Sequence, residues 1–188
     1  MPVVRAPGAR EAGSIAARLV DARAGAIELT TTIPGWADLL ADLGGAAGET
    51  MIGMGTVVTA ADAETALERG ARFLVSPYPA PEVRPVADAA GALFVEGGMT
   101  PGEVAQAARH GAAKLFPAHV GGLQYLRSLL AVMPGARIVP TGGIAVRDVP
   151  KWLAAGALAV GVGSDLYGAE DIDEKLAELR EATAGAAT

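Results

Sequence analysis

The sequence is poor in the residues that metal sites and nucleic-acid surfaces use. It contains no cysteine, which excludes disulfide bonds and thiolate ligands. Its two histidines, His110 and His119, lie in separate segments, so we expect no metal site. Aromatic residues make up 4% of the chain and the net charge is −6. Because this leaves few surfaces for base stacking and no basic stripe for phosphates, we expect no nucleic-acid partner.

Long uncharged apolar runs are also missing. No stretch of ~18 such residues is present to span a membrane, and we expect no membrane partner. The opening residues, MPVVRAPGAR, do not show a basic segment followed by an apolar one, so no secretory signal is visible and we expect a cytoplasmic protein. Of the 188 residues, 51% are hydrophobic and 19% charged, which is typical of a folded chain. We predict a single domain over residues 1–188, with a C-terminal helix over about 169–188.

Short apolar or β-branched runs recur every ~22 residues and alternate with alanine-rich helical stretches. The runs are Val3–Arg5, Ala26–Thr30, Met51–Val57, Phe73–Ser76, Leu93–Glu96, Ala113–Phe116, Arg137–Pro140 and Ala159–Gly163. Glycines that stop the intervening helices are expected at Gly25, Gly70, Gly91, Gly111 and Gly156. Eight such units predict an α/β fold, a compact single-domain (β/α)8 TIM barrel. The alternative is a doubly wound open sheet, but no strand-linked GxGxxG motif supports it.

Lys114 is the most informative polar residue. It lies in the apolar run Gly-Ala-Ala-Lys-Leu-Phe-Pro, whereas Lys151 and Lys175 lie in charged stretches. Burial favours the neutral form of an amine, and a neutral amine attacks a carbonyl to form a Schiff base. The alternative is a lysine that reaches solvent or forms a salt bridge with a carboxylate.

Glu28 is a single carboxylate within an apolar strand, Ala-Ile-Glu-Leu-Thr. If it faces Lys114, it can move protons during the reaction of that lysine. The alternative is a buried ion pair without a chemical role.

Paired small residues follow the last two predicted strands. Gly142-Gly143 and Gly163-Ser164 can present backbone N–H groups to a phosphate, and Thr141 and Ser164 can add hydroxyl donors. A barrel often holds phosphate at this position.

These features together resemble the 2-keto-3-deoxy-6-phosphogluconate / 4-hydroxy-2-oxoglutarate aldolase family. The matching segments are Ile27-Glu28-Leu29-Thr30, Gly53-Met54-Gly55-Thr56-Val57, Phe73 through Pro77, Lys114-Leu115-Phe116-Pro117-Ala118, Pro140-Thr141-Gly142-Gly143-Ile144 and Gly161-Val162-Gly163-Ser164. The resemblance implies a class I aldolase on a (β/α)8 barrel, homotrimeric, which uses neither metal nor cofactor. It also implies a small-molecule keto-acid substrate that carries a phosphate.

The resemblance implies a role for each matching residue. Lys114 is the Schiff-base lysine and Glu28 the general acid/base. The residues implied to bind substrate, at the carboxylate, along the chain or at the phosphate, are Arg5, Thr56, Phe116, Thr141, Gly142, Gly143, Gly163 and Ser164.

Two positions depart from the family pattern. Many members have an arginine four residues after the glutamate, where this chain has Thr32, and Arg5 can supply that positive charge instead. Glu96 stands where the family has a proline, so it is turned away, protonated, paired with Arg5 or a sign of a different substrate. Two other functions therefore stay open: a barrel that binds a phosphorylated ligand without cleaving it, and a phosphate-binding barrel isomerase.

Overall fold

The structure, a computed structural model, describes residues 1–168 and 172–184. Parallel strands and helices alternate along this part of the chain, and its seven strands form one sheet in sequence order, β1 to β7. A doubly wound open sheet has a point at which the strand order reverses. Because no reversal occurs among the described strands, the predicted barrel architecture is confirmed and the open-sheet alternative is wrong.

The strands are β1 (Val3–Val4), β2 (Ala26–Thr30), β3 (Met51–Gly55), β4 (Phe73–Val75), β5 (Leu93–Gly98), β6 (Ala112–Leu115) and β7 (Arg137–Pro140). The helices are α1 (Ala9–Asp21), α2 (Trp36–Gly44), α3 (Ala60–Glu68), α4 (Val83–Ala89), α5 (Pro101–Ala108), α6 (Ala118–Val132), α7 (Val149–Ala154), α8 (Ser164–Tyr167) and α9 (Ile172–Ala184). The predicted C-terminal helix over about 169–188 corresponds to α9, and its parts at 169–171 and 185–188 lie outside the described residues. None of the helices within residues 1–168 and 172–184 combines the length and hydropathy that a bilayer span requires.

The predicted eighth strand is reduced to two isolated bridges. Gly161 pairs with Thr141 beyond β7, and Val162 pairs with Pro2 ahead of β1. The Val3 N–H donates to the Val162 carbonyl at 2.8 Å, and the Gly161 N–H donates to the Pro140 carbonyl at 2.9 Å. The segment 160–162 therefore joins the last strand to the first and closes the ring, although it is too short to count as a strand.

Alternate residues of each strand point to opposite faces, which places Glu28 and Lys114 inside the barrel. In β2, Ile27 and Leu29 pack in the core between sheet and helices, whereas Ala26 and Glu28 face the barrel interior. The same alternation in β6 sends Ala113 and Leu115 outward and Lys114 inward. Since both faces of these strands are buried, the apolar runs show no alternation of polarity in the sequence.

Four of the five predicted helix-stopping glycines adopt the left-handed conformation after a helix. These are Gly70, Gly91, Gly111 and Gly156, with φ between +63° and +129°. The prediction for Gly25 is wrong, because the left-handed residue after α1 is Arg23, with φ +56°. Helix α1 ends two residues earlier than the glycine indicates, and Gly25 lies in the connection to β2.

Candidate active site

A cavity of about 570 Å³ opens at the carboxyl ends of the strands. In a barrel of parallel strands this is the end at which the loops after each strand converge. The cavity is lined by all ten residues for which the sequence predicts a site role: Arg5, Glu28, Thr56, Lys114, Phe116, Thr141, Gly142, Gly143, Gly163 and Ser164. Residues from five strands, from the loops that follow them and from the loop after segment 160–162 therefore meet at one place, as the predicted site requires.

Lys114 and Glu28 form an ion pair at the floor of this cavity. The Lys114 ammonium donates to Glu28 Oε1 at 3.1 Å, and the two residues are 5% and 1% exposed. A second cavity of about 180 Å³ lies within the barrel on their other side and is lined mainly by apolar side chains, among them Phe73, Val75 and Val95. The pair thus stands in a low-dielectric setting, where electrostatic interactions are strong.

The glycines of the Gly53-Met54-Gly55-Thr56 segment make room for neighbouring side chains, one of them Glu28. A Cβ at Gly55 would overlap the Glu28 carboxylate, and a Cβ at Gly53 would overlap the ring of Phe73. Glycine at position 55 therefore leaves the space that the Glu28 side chain occupies, and glycine at position 53 leaves the space that the Phe73 ring occupies.

Two buried polar atoms at the site have no hydrogen-bond partner within the described residues. They are Glu28 Oε2 and Thr141 Oγ1. An unsatisfied buried polar atom costs free energy, so such atoms are rare and need a reason. Both belong to side chains that line the cavity, and a polar ligand there would supply the missing hydrogen bonds.

The Phe116 ring packs over the Lys114 ammonium, with 5.5 Å between the nitrogen and the ring centroid. This distance lies within the range of a cation–π contact. Phe116 also lies against Gly142, where a Cβ would come within 2.9 Å of the ring. The aromatic side chain therefore connects the lysine to the glycine loop after β7.

Arg5 lies beside Thr32, the position at which many family members have an arginine and whose missing positive charge Arg5 is predicted to supply. Its Nη1 donates to Thr32 Oγ1 at 3.0 Å, and Thr32 Oγ1 lies 2.9 Å from Thr30 Oγ1. The Tyr167 hydroxyl donates to the Arg5 carbonyl at 3.1 Å. The Arg5 guanidinium, which lines the cavity directly after β1, thus contacts the side chain at position 32.

Thr56 has a left-handed backbone, with φ +60°. This conformation is unfavourable for a β-branched residue and persists only where the surroundings enforce it. Here the Thr31 hydroxyl donates to the Thr56 carbonyl at 2.8 Å. The result is a strained threonine, fixed by the neighbouring loop, at the rim of the cavity.

The two glycine loops after β7 and after segment 160–162 lie together. Gly142 and Gly143 have φ of +98° and +68°, a conformation that successive residues with side chains rarely adopt. The carboxylate of Asp165 accepts the Val146 N–H at 2.7 Å, which ties the second loop to the first. His119 is exposed and packs against Gly143 behind this loop, outside the cavity lining.

Glu96 points away from the barrel interior. Its Oε1 accepts the Ala80 N–H at 2.8 Å, and its Oε2 lies 3.5 Å from Arg84 of α4. Of the possibilities that the sequence left open, the structure shows a side chain turned outward and paired with Arg84, so the pairing with Arg5 is wrong. The carboxylate therefore does not approach the predicted carboxylate-binding corner.

Two aromatic residues of the cavity wall were not predicted as site residues. Tyr78 follows β4 and Tyr167 lies in α8, and both line the cavity. Tyr167 has a signal in the sequence, because it lies only three residues after Ser164, at the end of the segment that begins with the predicted Gly163-Ser164 loop. Tyr78 has no comparable signal, since the direction of a side chain in a loop does not follow from residue spacing.

Comparison with known proteins relates this site to one family. The model of the family described as KDPG and KHG aldolase matches residues 1–181. The 2-dehydro-3-deoxy-6-phosphogalactonate aldolase of Escherichia coli (strain K12) is 30% identical over 164 residues, covering 85% of this chain and 80% of that protein. The 2-dehydro-3-deoxy-phosphogluconate aldolase of Zymomonas mobilis subsp. mobilis (strain ATCC 31821 / ZM4 / CP4) is 30% identical over 189 residues, covering 98% and 90%.

Solved structures agree with the family match. The 2-keto-3-deoxy-6-phospho-gluconate aldolase from Zymomonas mobilis ATCC 29191 is similar with a TM-score of 0.82 and 29% identity, covering 97% of this chain and 91% of that chain. The family model and the relatives span most of the chain and include the strands that carry Glu28 and Lys114. The chain therefore belongs to the KDPG and KHG aldolase family of lyases.

Proposed function

We propose that the protein is a class I aldolase that reversibly cleaves a phosphorylated 2-keto-3-deoxy sugar acid of the phosphogluconate or phosphogalactonate type, or 4-hydroxy-2-oxoglutarate. The products are pyruvate and an aldehyde, glyceraldehyde 3-phosphate or glyoxylate. The observation that carries the proposal is the buried Lys114 ammonium, 3.1 Å from Glu28 at the floor of the cavity. Family membership supports the same chemistry.

The first half of the reaction joins the substrate to Lys114. The neutral amine adds to the C2 keto carbon to give a carbinolamine, and loss of water, with a proton supplied by Glu28, gives a protonated imine. The positively charged nitrogen then accepts electrons from the bond between C3 and C4. A metal ion is not needed for this step, because the imine itself is the electron sink.

The second half breaks the carbon chain and regenerates the lysine. Glu28 removes the proton of the C4 hydroxyl, the C3–C4 bond breaks, the aldehyde leaves and the electron pair forms an enamine. Protonation at C3 and addition of water then release pyruvate and the free amine. Glu28 Oε2 supports this role because it is buried and accepts no hydrogen bond from the described residues, so it could still accept one from a substrate hydroxyl.

The remaining predicted residues hold the two ends of the substrate in this proposal. Arg5 and Thr56 bind the carboxylate, since a guanidinium pairs with a carboxylate through charge-assisted hydrogen bonds. Gly142, Gly143, Gly163 and Ser164 bind a distal phosphate. Binding energy from that phosphate fixes the orientation of the reacting carbons without touching them.

Thr141 and Phe116 line the stretch between the two ends. The unpartnered hydroxyl of Thr141 supports a contact with a substrate hydroxyl, and the Phe116 ring shields the lysine from water.

We also propose a homotrimer in the cytoplasm. Exposed valines on α6, Val120 and Val132, support self-association, and the mass of the native assembly by multi-angle light scattering tests it.

The cleavage itself is tested with stereochemically defined keto-acid phosphates and 4-hydroxy-2-oxoglutarate, with pyruvate release as the readout. We expect the wild-type chain to turn over at least one of them and Lys114→Arg to turn over none. Lys151→Arg is the matched control and should retain turnover, because Lys151 is exposed and lies outside the cavity. Binding of a phosphorylated keto acid without release of pyruvate would instead support the non-cleaving barrel. Interconversion of sugar phosphates without pyruvate would support the isomerase.

A further inference from the structure

Tyr78 is an aromatic side chain on the cavity wall to which the proposed reaction gives no role. It follows β4, lines the cavity together with Thr56 and Phe116, and is 54% exposed. The contacts of the loop that carries Tyr78 fix its backbone on both sides.

The segment that carries Tyr78 is held on its N-terminal side by a buried serine. Ser76 donates its hydroxyl hydrogen to the Tyr78 carbonyl at 2.7 Å and accepts the Gly97 N–H at 3.0 Å. Gly97 fits this arrangement because a Cβ there would overlap the backbone of Ser76 and Pro77. The backbone of Tyr78 is thereby fixed to β5.

The same segment is held on its C-terminal side by Glu96. This carboxylate is 9% exposed, accepts the Ala80 N–H at 2.8 Å and lies 3.5 Å from Arg84, whose guanidinium stacks over Phe94 at 4.5 Å. Burial of charged groups is costly unless their mutual attraction and further hydrogen bonds offset the loss of hydration. Here the hydrogen bond from the Ala80 N–H to Glu96 fixes the loop two residues after Tyr78.

The position of Tyr78 in the ring of strands indicates which part of the substrate it meets. Counting round the barrel, β4 is four places from segment 160–162 in either direction, so Tyr78 lies across the barrel from the glycine loop at Gly163. Its neighbour in the ring is β3, which is followed by Thr56. If phosphate binds at Gly163 and carboxylate at Thr56, Tyr78 stands at the keto-acid end.

We infer that the Tyr78 ring limits the size of the keto acid that reacts with Lys114, admitting pyruvate and rejecting homologues with a longer chain, and that Glu96 is a positioning residue for this ring. The inference rests on the proposed function, because it assumes that the keto acid forms an imine with Lys114. An added methylene that does not fit a pocket costs about 10-fold to 200-fold in selectivity.

The test measures hydrogen exchange at C3 of two keto acids in deuterated water by proton NMR. Imine formation lets a base remove a C3 proton, and the resulting enamine takes a deuteron from solvent, so no aldehyde is needed. Pyruvate and 2-oxobutanoate, which has one more carbon, are compared. We expect the wild-type chain to exchange pyruvate at least ~10-fold faster, and Tyr78→Ala to reduce that ratio by at least ~10-fold.

Tyr78→Phe keeps the ring and is expected to keep the wild-type ratio. An unchanged ratio in Tyr78→Ala, or equal effects of the two variants, would overturn the role of the ring while leaving pyruvate exchange intact. Absence of pyruvate exchange in the wild-type chain would overturn the proposed function itself. The two failures are therefore distinguishable.

The role of Glu96 is tested by Glu96→Gln, which keeps the size and one acceptor but loses the charge that faces Arg84. We expect Glu96→Gln to shift the ratio of the two exchange rates less than Tyr78→Ala does. Combined with Tyr78→Ala, it should cause no further shift, because a positioning residue acts through the ring. Glu103→Gln is the matched control, since Glu103 also accepts loop N–H groups but lies outside the cavity. An equal shift by Glu96→Gln with and without the Tyr78 ring would overturn the positioning role.

Discussion

Replacement of Glu28 by glutamine separates the chemical role of this carboxylate from its structural one. Glutamine has nearly the same shape and keeps an oxygen that can accept a hydrogen from Lys114, but it carries neither a charge nor an exchangeable proton for the reaction. At 3.1 Å and an effective dielectric constant of ~20, the attraction between the two charges is ~5 kcal/mol before the cost of desolvation is subtracted. The change therefore affects both stability and rate.

The rate effect follows from the loss of the proton carrier. A positioned general acid/base contributes ~10²–10⁴ to a rate, so we expect the turnover number of Glu28→Gln to fall by that factor, equivalent to ~3–5 kcal/mol in the barrier. KM is expected to change much less, because the carboxylate and phosphate ends of the site are unaltered. The assay is release of pyruvate from the best substrate of the panel, coupled to its reduction by NADH.

The stability effect must be measured in parallel. Removing one partner of a buried pair costs ~3–5 kcal/mol, which a protein of ordinary stability survives. Thermal unfolding followed by circular dichroism shows whether the variant is folded at the assay temperature. Glu64→Gln, on an exposed position of α3, is the matched control for loss of one negative charge. A folded Glu28→Gln with near-normal turnover would refute the role given to Glu28.

Three further predictions concern the ends of the site and the acid stability of the fold. Gly163→Asp should raise KM for phosphorylated substrates at least ~10-fold, whereas its KM for 4-hydroxy-2-oxoglutarate and the KM values of the neutral control Gly163→Asn should change little. A Cβ at this position would make only an ordinary contact of 3.8 Å with the Val3 carbonyl oxygen, so the charge alone opposes phosphate. Equal effects on both substrates in steady-state assays would count against the phosphate site. Arg5→Ala should raise KM for every substrate by ~10-fold to 100-fold, since a charged hydrogen bond is worth ~1.5–3 kcal/mol, and an effect confined to phosphorylated substrates would remove Arg5 from the carboxylate site. The backbone N–H groups of Thr100 and Met99 lower the pKa of Glu103 from its ordinary value of 4.5, so its stabilising contribution is present above that value and is lost as the pH falls through the lowered pKa. Glu103→Gln should therefore flatten the decline of the unfolding temperature below about pH 4.5, and an unchanged slope in acid melts would contradict this contribution.

The strand pattern of the sequence predicted the barrel because both faces of each strand are buried, which leaves short apolar runs at regular spacing. The segment after α7 was harder to predict. Its run Ala159–Gly163 looks like the others, but only Gly161 and Val162 pair with their neighbours, and pairing of this kind depends on how the ring closes. Arg23 likewise takes the left-handed position that a glycine two residues later was expected to occupy.

The site was predictable where its residues lie within strands or directly after them. Lys114 and Glu28 are unusual within apolar runs, and their meeting across 86 residues follows from the register of the barrel. The direction of Glu96 was not predictable in the same way, because the run Leu93–Glu96 has no alternation of polarity that marks its inner face. Tyr78 was missed because its position depends on contacts from β5 and on Glu96, which only the folded chain brings together.

The most direct test of the account is reduction with borohydride in the presence of pyruvate, followed by digestion and mass spectrometry. Reduction of an imine adds the carbon skeleton of pyruvate to the amine as a stable secondary amine. We expect one increment per chain, on the peptide that contains Lys114, with Lys151 and Lys175 unmodified. Absence of an adduct at Lys114, or equal labelling of all three lysines, would contradict the class I mechanism.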